Sequence, residues 1–193
     1  IVQKTYALQD AYGMDFEETL RGVNGLITNM GISAEEAFDL MTVGAQNGLD
    51  KTHELGDNLA EYTQIWGQAG FTAQEMFSIL QNGLDAGAYN LDKVNDFVKE
   101  FTISLSDGRI KENLSSFSKD TQKLFKEWEK GKATSADVFK SVIDDLKNTK
   151  DEQEALSTAS TVWSALGEDN ALKIITSLND VNETYQDTTG AIN

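Results

Sequence analysis

Cysteine and proline are missing from this sequence of 193 residues, and histidine occurs only once, at His53. Without cysteine the chain has no disulfide bond and no thiolate metal site. Proline makes up about 5% of an average protein and interrupts helices, so its absence favours a chain that is almost entirely helical. A single histidine leaves no Ser–His–Asp or Cys–His arrangement that can be assembled with any specificity. We therefore expect His53 to be an ordinary surface residue at the start of a helix.

Basic residues are scarce as well, because 16 lysines and arginines face 32 aspartates and glutamates, which gives a net charge of −16. The imbalance is concentrated in residues 1–100, where 16 acidic and 5 basic residues give −11. The one basic concentration is interleaved with acidic residues and consists of Lys119, Lys123, Lys126, Lys130 and Lys132. We interpret it as a solvated helix face of mixed charge. A nucleic-acid interface needs a basic stripe, so direct nucleic-acid binding by this segment is not expected.

Long apolar runs are also absent. No stretch approaches the roughly 18 residues needed to cross a bilayer, so no membrane span is expected in this segment. The chain opens Ile1-Val2-Gln3-Lys4, without an initiator methionine and without the basic and apolar regions of a signal peptide. Since residues 1–10 already have a helical pattern, we interpret the sequence as part of a longer protein.

What the sequence does contain is an internal repeat. Residues 31–38 (GISAEEAF) return as residues 70–77 (GFTAQEMF), a shift of 39 positions. The same shift relates further pairs downstream: Gly44 and Gly83, Gly48 and Gly87, Asp57 and Asp96, Glu61 and Glu100, Tyr62 and Phe101. An internal period of this size indicates that one supersecondary unit has been duplicated and stacked.

Apolar residues recur with helical spacing along nearly the whole chain. Together with the repeat, the pattern predicts an all-α fold of short antiparallel helix pairs: 33–47 with 52–69, and 72–86 with 90–101. One pair cannot bury its apolar face alone, so we predict that the two pairs stack. Residues 102–106 alternate in polarity over a short stretch, and we predict a connector there.

Helix ends are marked by capping residues and glycines. Capping boxes are predicted at Ser33-x-x-Glu36, Thr72-x-x-Glu75 and Thr149-x-x-Glu152, and single caps at Asp15 and Thr134. Glycines that suit left-handed helix ends lie at positions 31, 48, 70, 87, 108, 131 and 167. The net charge of the chain changes near residues 102–108, which indicates a boundary between subdomains there. We predict leading helices in 1–30, the duplicated repeat in 31–105 (31–69 and 70–105), and a C-terminal helical subdomain in 106–193.

Candidates for chemistry are few. The adjacent acidic pairs are Glu17-Glu18, Glu35-Glu36 and Asp144-Asp145, and paired carboxylates can serve acid–base catalysis. Neighbours on a helix point about 100° apart, and four of these six acids lie in a first helical turn, where the helix dipole accounts for them. Asn90, Asp92 and Asp107 could suggest calcium, but no twelve-residue window has the donors of an EF-hand. We predict no catalytic, cofactor-binding or metal-binding residues, no cofactor and no enzymatic activity.

The three tryptophans, Trp66, Trp128 and Trp163, lie on apolar stripes and are expected in the core. The alternative for one of them is an exposed interface anchor, because tryptophan is enriched at the energetic centres of interfaces.

The repeat region also resembles a known family. The residues that carry the resemblance are 30–38 (MGISAEEAF), 44–50 (GAQNGLD), 83–94 (GLDAGAYNLDKV) and 97–101 (FVKEF). With them, residues 31–106 resemble the helical region of phage tail tape measure proteins, especially those of siphophages and of prophages in Gram-positive bacteria. Residues 12–15 and 163–169 are compatible with the same family.

This resemblance implies a long protein that lies inside the tail tube during assembly and sets tail length. It implies partners among tail tube proteins and tail assembly chaperones, a place in the virion, and assembly in the host cytoplasm or expression from a prophage. No catalytic residues come with it. A ruler is expected to be continuously helical, whereas glycines interrupt this segment, so we expect tail length to depend mainly on other parts of the parent chain.

The acidic charge fits contact with a tail protein, or self-association through a helix face, better than contact with DNA. The expected function is therefore that of a structural segment in tail assembly and tail length determination. The alternative is a helical protein–protein interaction module of an unrelated large bacterial protein. A peptidoglycan-cleaving enzyme is a third possibility, for which the sequence offers no catalytic constellation.

Overall fold

A computed structural model of the chain describes residues 1–164 and 170–193, which form eleven α-helices, two short 3₁₀ turns and no strand. The predicted all-α fold class is confirmed. The helices are α1 (Val2–Tyr12), α2 (Phe16–Met30), α3 (Ala34–Gln46), α4 (Leu55–Ala69), α5 (Ala73–Asp85), α6 (Leu91–Ser106), α7 (Arg109–Glu112), α8 (Lys119–Glu129), α9 (Ser135–Asn148), α10 (Glu152–Val162) and α11 (Ala171–Ser177). No helix of the described ranges is long and apolar enough to span a membrane.

Most predicted helix starts carry the expected cap. Thr72 forms a complete capping box with Glu75, and Ser33 accepts a hydrogen bond from the backbone N–H of Glu36. Asp15 caps α2 in the same way, and Thr134 forms a complete box with Asp137. Each of these bonds satisfies a backbone donor that the first turn of a helix leaves unpaired.

The capping box predicted at Thr149 is wrong. Asp151 caps α10 instead, accepting from the backbone N–H of Gln153, while the Thr149 hydroxyl donates to the carbonyl of Asp145 at 2.7 Å. Thr149 therefore belongs to the end of α9 and not to the start of α10. Of the predicted capping glycines, Gly167 lies outside the described residues.

The connector predicted at residues 102–106 is also wrong, because these residues form the last turn of α6. The apolar spacing of the helix continues through Phe101 and Leu105, which are both buried. The polar residue between them, Ser104, is buried too, and its hydroxyl donates to the carbonyl of Val162. A short alternating pattern cannot override a helical stripe that already extends over three turns.

The closest helix–helix contact joins α2 and α4, and glycines make it possible. A Cβ atom on Gly67 would lie 2.2 Å from the carbonyl oxygen of Asn29, and one on Gly56 would lie 2.5 Å from that of Glu18. Gly22 faces Gly56 at a similarly short distance. Because the start of α4 meets the start of α2, and its end meets the end of α2, the two helices run parallel. We call this contact the glycine seam.

The sequence does not predict the parallel contact between α2 and α4, which forms because the two helices present glycines to each other and approach at backbone distance. The pairing of α3 with α4 stays a prediction. Helix boundaries nevertheless follow the 39-residue shift: α2 and α4 each have 15 residues, and α3 and α5 each have 13. The stacking of two equivalent helix pairs stays a prediction.

One hydrophobic core connects the N-terminal and C-terminal helices. A continuous series of aromatic contacts crosses it, with ring centroids 5.0–6.0 Å apart, through Trp66, Phe71, Phe139, Phe101 and Trp163. These rings come from α4, α6, α9, the turn before α5 and the end of α10. The division of the chain into segments at residues 30 and 105 stays a prediction.

Inside this core, between α4 and α6, lies a series of hydrogen-bonded side chains, which we call the buried polar chain. The indole N–H of Trp66 donates to Oδ1 of Asn95 at 2.8 Å, and Nδ2 of Asn95 donates to Oδ1 of Asn58 at 2.7 Å. All three side chains are almost completely buried. Since a buried polar group without a partner is costly, the three residues specify how α6 sits on α4.

Candidate interaction surfaces

His53 lies in the turn between α3 and α4 and is exposed, in the position expected of a surface residue. It is the one non-glycine residue with a positive φ, 59°, within the part of the chain that the structure describes. The adjacent cleft of about 580 Å³ includes Asp15, Glu18 and Asp50. Burial raises the pKa of Asp50, although the backbone N–H of Leu55 donates to its carboxylate. Among residues 1–164 and 170–193, no cluster of three or more histidine, cysteine, aspartate or glutamate side chains is arranged to hold a metal ion.

The adjacent acidic residues lie in helix first turns or form hydrogen bonds within the fold. Glu17-Glu18 and Glu35-Glu36 lie in the first turns of α2 and α3, where the helix dipole favours negative charge. Asp145 accepts from the hydroxyl of Thr121 at 2.7 Å, and Asp144 accepts from the side-chain amide of Asn179 at 2.8 Å. The two aspartates therefore connect α9 to different parts of the chain instead of converging on one site.

The residues that could have suggested calcium are dispersed in the same way. Asn90 caps α6 through the backbone N–H of Lys93 at 3.0 Å, and Asp107 forms an ion pair with Arg109 at 2.8 Å. The guanidinium of Arg109 also binds Glu100 at 2.7 Å and the carbonyl of Val162 at 3.0 Å. Arg109 thereby joins α6 to the end of α10. That no residue of the chain is catalytic or binds a metal or cofactor stays a prediction.

The tryptophans do not provide an exposed anchor. Trp66 and Trp163 are fully buried, and Trp128 is partly buried with its indole N–H donating to the hydroxyl of Ser135 at 3.0 Å. Large exposed apolar side chains occur instead at Ile1, Val2, Tyr6, Tyr12, Tyr89, Ile103 and Val181. Four of these seven lie on or beside α1, so the N-terminal helix has the most apolar of the described surfaces.

The five clustered lysines of residues 119–132 are all exposed, on α8 and in the turn that follows it. Acidic residues of the same helix accompany them, and Lys111 pairs with Glu129 at 3.0 Å. This is the solvated face of mixed charge that the sequence predicted.

A more strongly charged surface lies where the first halves of α4 and α6 meet. We call it the acidic face; its residues are Glu54, Asp57, Glu61, Asp92 and Asp96. Burial, and then repulsion from the other four carboxylates, raises the pKa of Asp92. Burial and the charges of Glu61, Asp92 and Asp96 raise the pKa of the neighbouring Tyr62 to about 12. Because neighbouring carboxylates contribute to both shifts after burial, negative charge is concentrated at this face.

Two cations lie near this face. Arg21 of α2 approaches Asp57 at 3.7 Å, with both side chains more than half exposed. The ammonium group of Lys93 lies 5.2 Å from the ring centre of Phe97. One signal for this surface is visible in the sequence, the charge of −11 in residues 1–100. The sequence does not show how α4 and α6, which begin 36 residues apart, bring their acids together.

A groove of about 420 Å³ separates α5 from α9. Ser78 and Ile79 line one side, Lys140 and Asp144 line the other, and residues near Val181 close one end. An ion pair between Lys140 and Glu75 crosses the groove. No sequence motif marks this groove, because its two walls are more than 60 residues apart in the chain.

The described residues thus form a strongly acidic, all-helical protein with an acidic face, an apolar surface on α1 and a groove between α5 and α9. Comparison with known families identifies its class: the phage-related minor tail protein family matches residues 1–167. The chain belongs to this family. No curated protein and no solved structure matches it.

Membership in the family supports a structural role in a phage tail and a place in the virion. The expectation of a phage tail protein is thereby confirmed, and the alternative of a module from an unrelated bacterial protein loses its support. Membership also implies partners in tail assembly.

Proposed function

We propose that this chain is a segment of a phage tail tape measure protein, which acts inside the tail tube in tail assembly and tail length determination. The single observation that carries the proposal is the family match over residues 1–167. It is supported by the residues of 30–50 and 83–101 that resemble tape measure proteins. Its role in this proposal is structural and not enzymatic.

The compact shape of the segment limits how it can contribute to tail length. Its longest helix, α6, has 16 residues, which corresponds to roughly 24 Å at 1.5 Å per residue. The helices fold back on one another around one core instead of extending along the tail. We therefore propose that this segment is a compact unit of the protein, and that tail length depends mainly on extended parts of the parent chain.

The acidic face suggests how the segment makes contact with its partners. Its carboxylates repel the phosphate backbone of DNA but complement a basic protein surface. We assign this face to contact with a tail tube protein or a tail assembly chaperone. Self-association is the alternative for the neutral, apolar surface of α1, because a contact there avoids the repulsion between two acidic bodies.

The proposal is tested by a nonsense mutation within this segment of the phage gene, grown with and without a suppressor host. Negative-stain electron microscopy measures the length of tails and tubes. We expect tails of uniform length with suppression, and no tails or tubes of variable length without it. Uniform tails in the absence of suppression would show that the protein does not determine tail length.

A further inference from the structure

The last thirteen residues form a strap across the helices. We define the C-terminal strap as residues 181–193, which contain one 3₁₀ turn (Glu183–Tyr185) and no α-helix. The strap begins at Val181, which is 85% exposed, and crosses α5 and α3. Tyr185 is its one buried residue. Such a segment has little of the regular hydrogen bonding that makes a helix cooperative.

The end of the strap is held by a buried carboxylate. Asp39 of α3 is 3% exposed and accepts hydrogen bonds from the backbone N–H groups of Gly190 at 3.1 Å and Ile192 at 2.9 Å. Both donors belong to the terminal turn of the chain, in which Ala191 donates to the carbonyl of Thr188. Burying a carboxylate is costly unless such bonds compensate, so Asp39 and the strap depend on each other.

The middle and the start of the strap are held by α5. The Tyr185 hydroxyl donates to Oε1 of Gln81 at 2.7 Å, and its ring packs on Phe77 with centroids 5.5 Å apart. Near the start, Nδ2 of Asn182 donates to Oδ1 of Asn82 at 3.0 Å. Three polar anchors and one aromatic contact therefore hold the strap, together with the packing of Tyr185 and Ile192 against the hydrophobic core.

The anchors contrast with the packing elsewhere in the fold. In the glycine seam, whole helices lie at backbone distance, and separating them would expose a large part of the core. The strap can leave α3 and α5 by breaking side-chain contacts that connect residues 100 to 153 positions apart. Segments held in this way open locally at a lower free energy than the core requires.

We infer that the C-terminal strap is a latch, which undocks as one unit from α3 and α5 while α2, α4 and α6 stay folded. Undocking uncovers Phe77, Gln81 and the carboxylate of Asp39. The latch is a property of the fold and does not depend on the assignment to tape measure proteins.

Amide hydrogen exchange of the full 193-residue protein, followed residue by residue by NMR, tests the latch. In the wild type we expect the amides of Gly190 and Ile192 to exchange by an opening whose rate depends on denaturant concentration, but less steeply than that of the α4 amides, because undocking exposes less surface than unfolding of the core. Asp39→Asn replaces one acceptor oxygen by a donor, and we expect at least about tenfold faster exchange at both amides with α4 unchanged. Asp15→Asn removes the same charge from a carboxylate that also binds a backbone N–H, and it should leave both rates unchanged.

A second variant asks whether the strap moves as a unit. Tyr185→Phe removes only the hydroxyl bond to Gln81, in the middle of the strap and away from Asp39, and the latch predicts that it also accelerates exchange at Gly190 and Ile192. Acceleration confined to residues near 185 would overturn the inference. An equal acceleration of amide exchange in α4 would also overturn it. So would strap amides that show the same denaturant dependence as the α4 amides in the wild type, and this last comparison does not require any variant to fold.

Discussion

Replacing Gly67 by alanine perturbs the glycine seam with a single methyl group. In an ordinary helix, Gly→Ala stabilises by about 1 kcal/mol because alanine loses less backbone freedom. Here the new Cβ would lie 2.2 Å from the carbonyl oxygen of Asn29, which is backbone and cannot rotate away. Since ordinary contact begins near 3.4 Å, α4 must move away from α2 by roughly 1 Å at this end.

The expected magnitude follows from two opposing terms. Overpacking a well-packed site costs about 1–3 kcal/mol, and a rigid backbone neighbour places this site at the upper end of that range. After subtraction of the gain in helix propensity, we expect Gly67→Ala to lower the free energy of unfolding by about 2 kcal/mol. For a protein of this size that corresponds to a decrease in Tm of about 4–8 °C.

Urea unfolding followed by circular dichroism at 222 nm measures the effect, with Gly44→Ala as the matched control. Gly44 is also helical, but its Cβ would meet the flexible end of Leu49 at 3.3 Å, so we expect a change of at most about 1 kcal/mol in either direction. A Gly67→Ala variant that is as stable as the control, or more stable than the wild type, would refute the close parallel packing of α2 and α4.

Two further predictions concern the acidic face and the buried polar chain. Because the pKa of Asp92 is raised above its ordinary value of 3.8, the folded protein holds this proton to higher pH than the unfolded chain, and the associated stability is present below about pH 4 and lost as pH rises through the raised pKa. Glu61→Gln should lower the pKa of Asp92, measured by carboxyl NMR titration, and an unchanged pKa would show that Glu61 does not contribute to the potential there. Asn95→Ala removes the acceptor of the buried Trp66 indole N–H and the donor to the buried Oδ1 of Asn58, so we expect a loss of about 2–4 kcal/mol in urea unfolding; a loss under about 1 kcal/mol would contradict the role assigned to these hydrogen bonds.

The helical class and most helix starts could be predicted from local patterns. The absence of proline, the apolar spacing and caps such as Thr72 act within a few residues, and such signals are legible in a single sequence. The prediction of a connector at residues 102–106 is wrong because the short alternation of polarity there is a weaker signal than the helical spacing of the apolar residues that precede it. Thr149 was misassigned because a capping motif also occurs where a helix ends.

Long-range contacts could not be predicted in this way. Gly56 and Gly67 lie inside a helical stretch, where glycine is unfavourable and indicates close packing, but the pattern does not name the partner helix. The bond from Asp39 to Gly190 joins residues 151 positions apart, and no motif marks either end. The acidic face likewise depends on the way α6 docks on α4, which the buried Asn95 specifies only once the fold has formed.

Trypsin treatment of intact phage particles tests whether this segment lies inside the tail tube. Lys130 and Lys132 are exposed in the turn between α8 and α9 and should be cleaved in the isolated protein. With mass spectrometry as the readout, we expect both sites to be protected in intact virions and to become cleavable when the tails are dissociated. Cleavage at this turn in intact particles would place the segment on the outside of the tail and refute its location inside the tube.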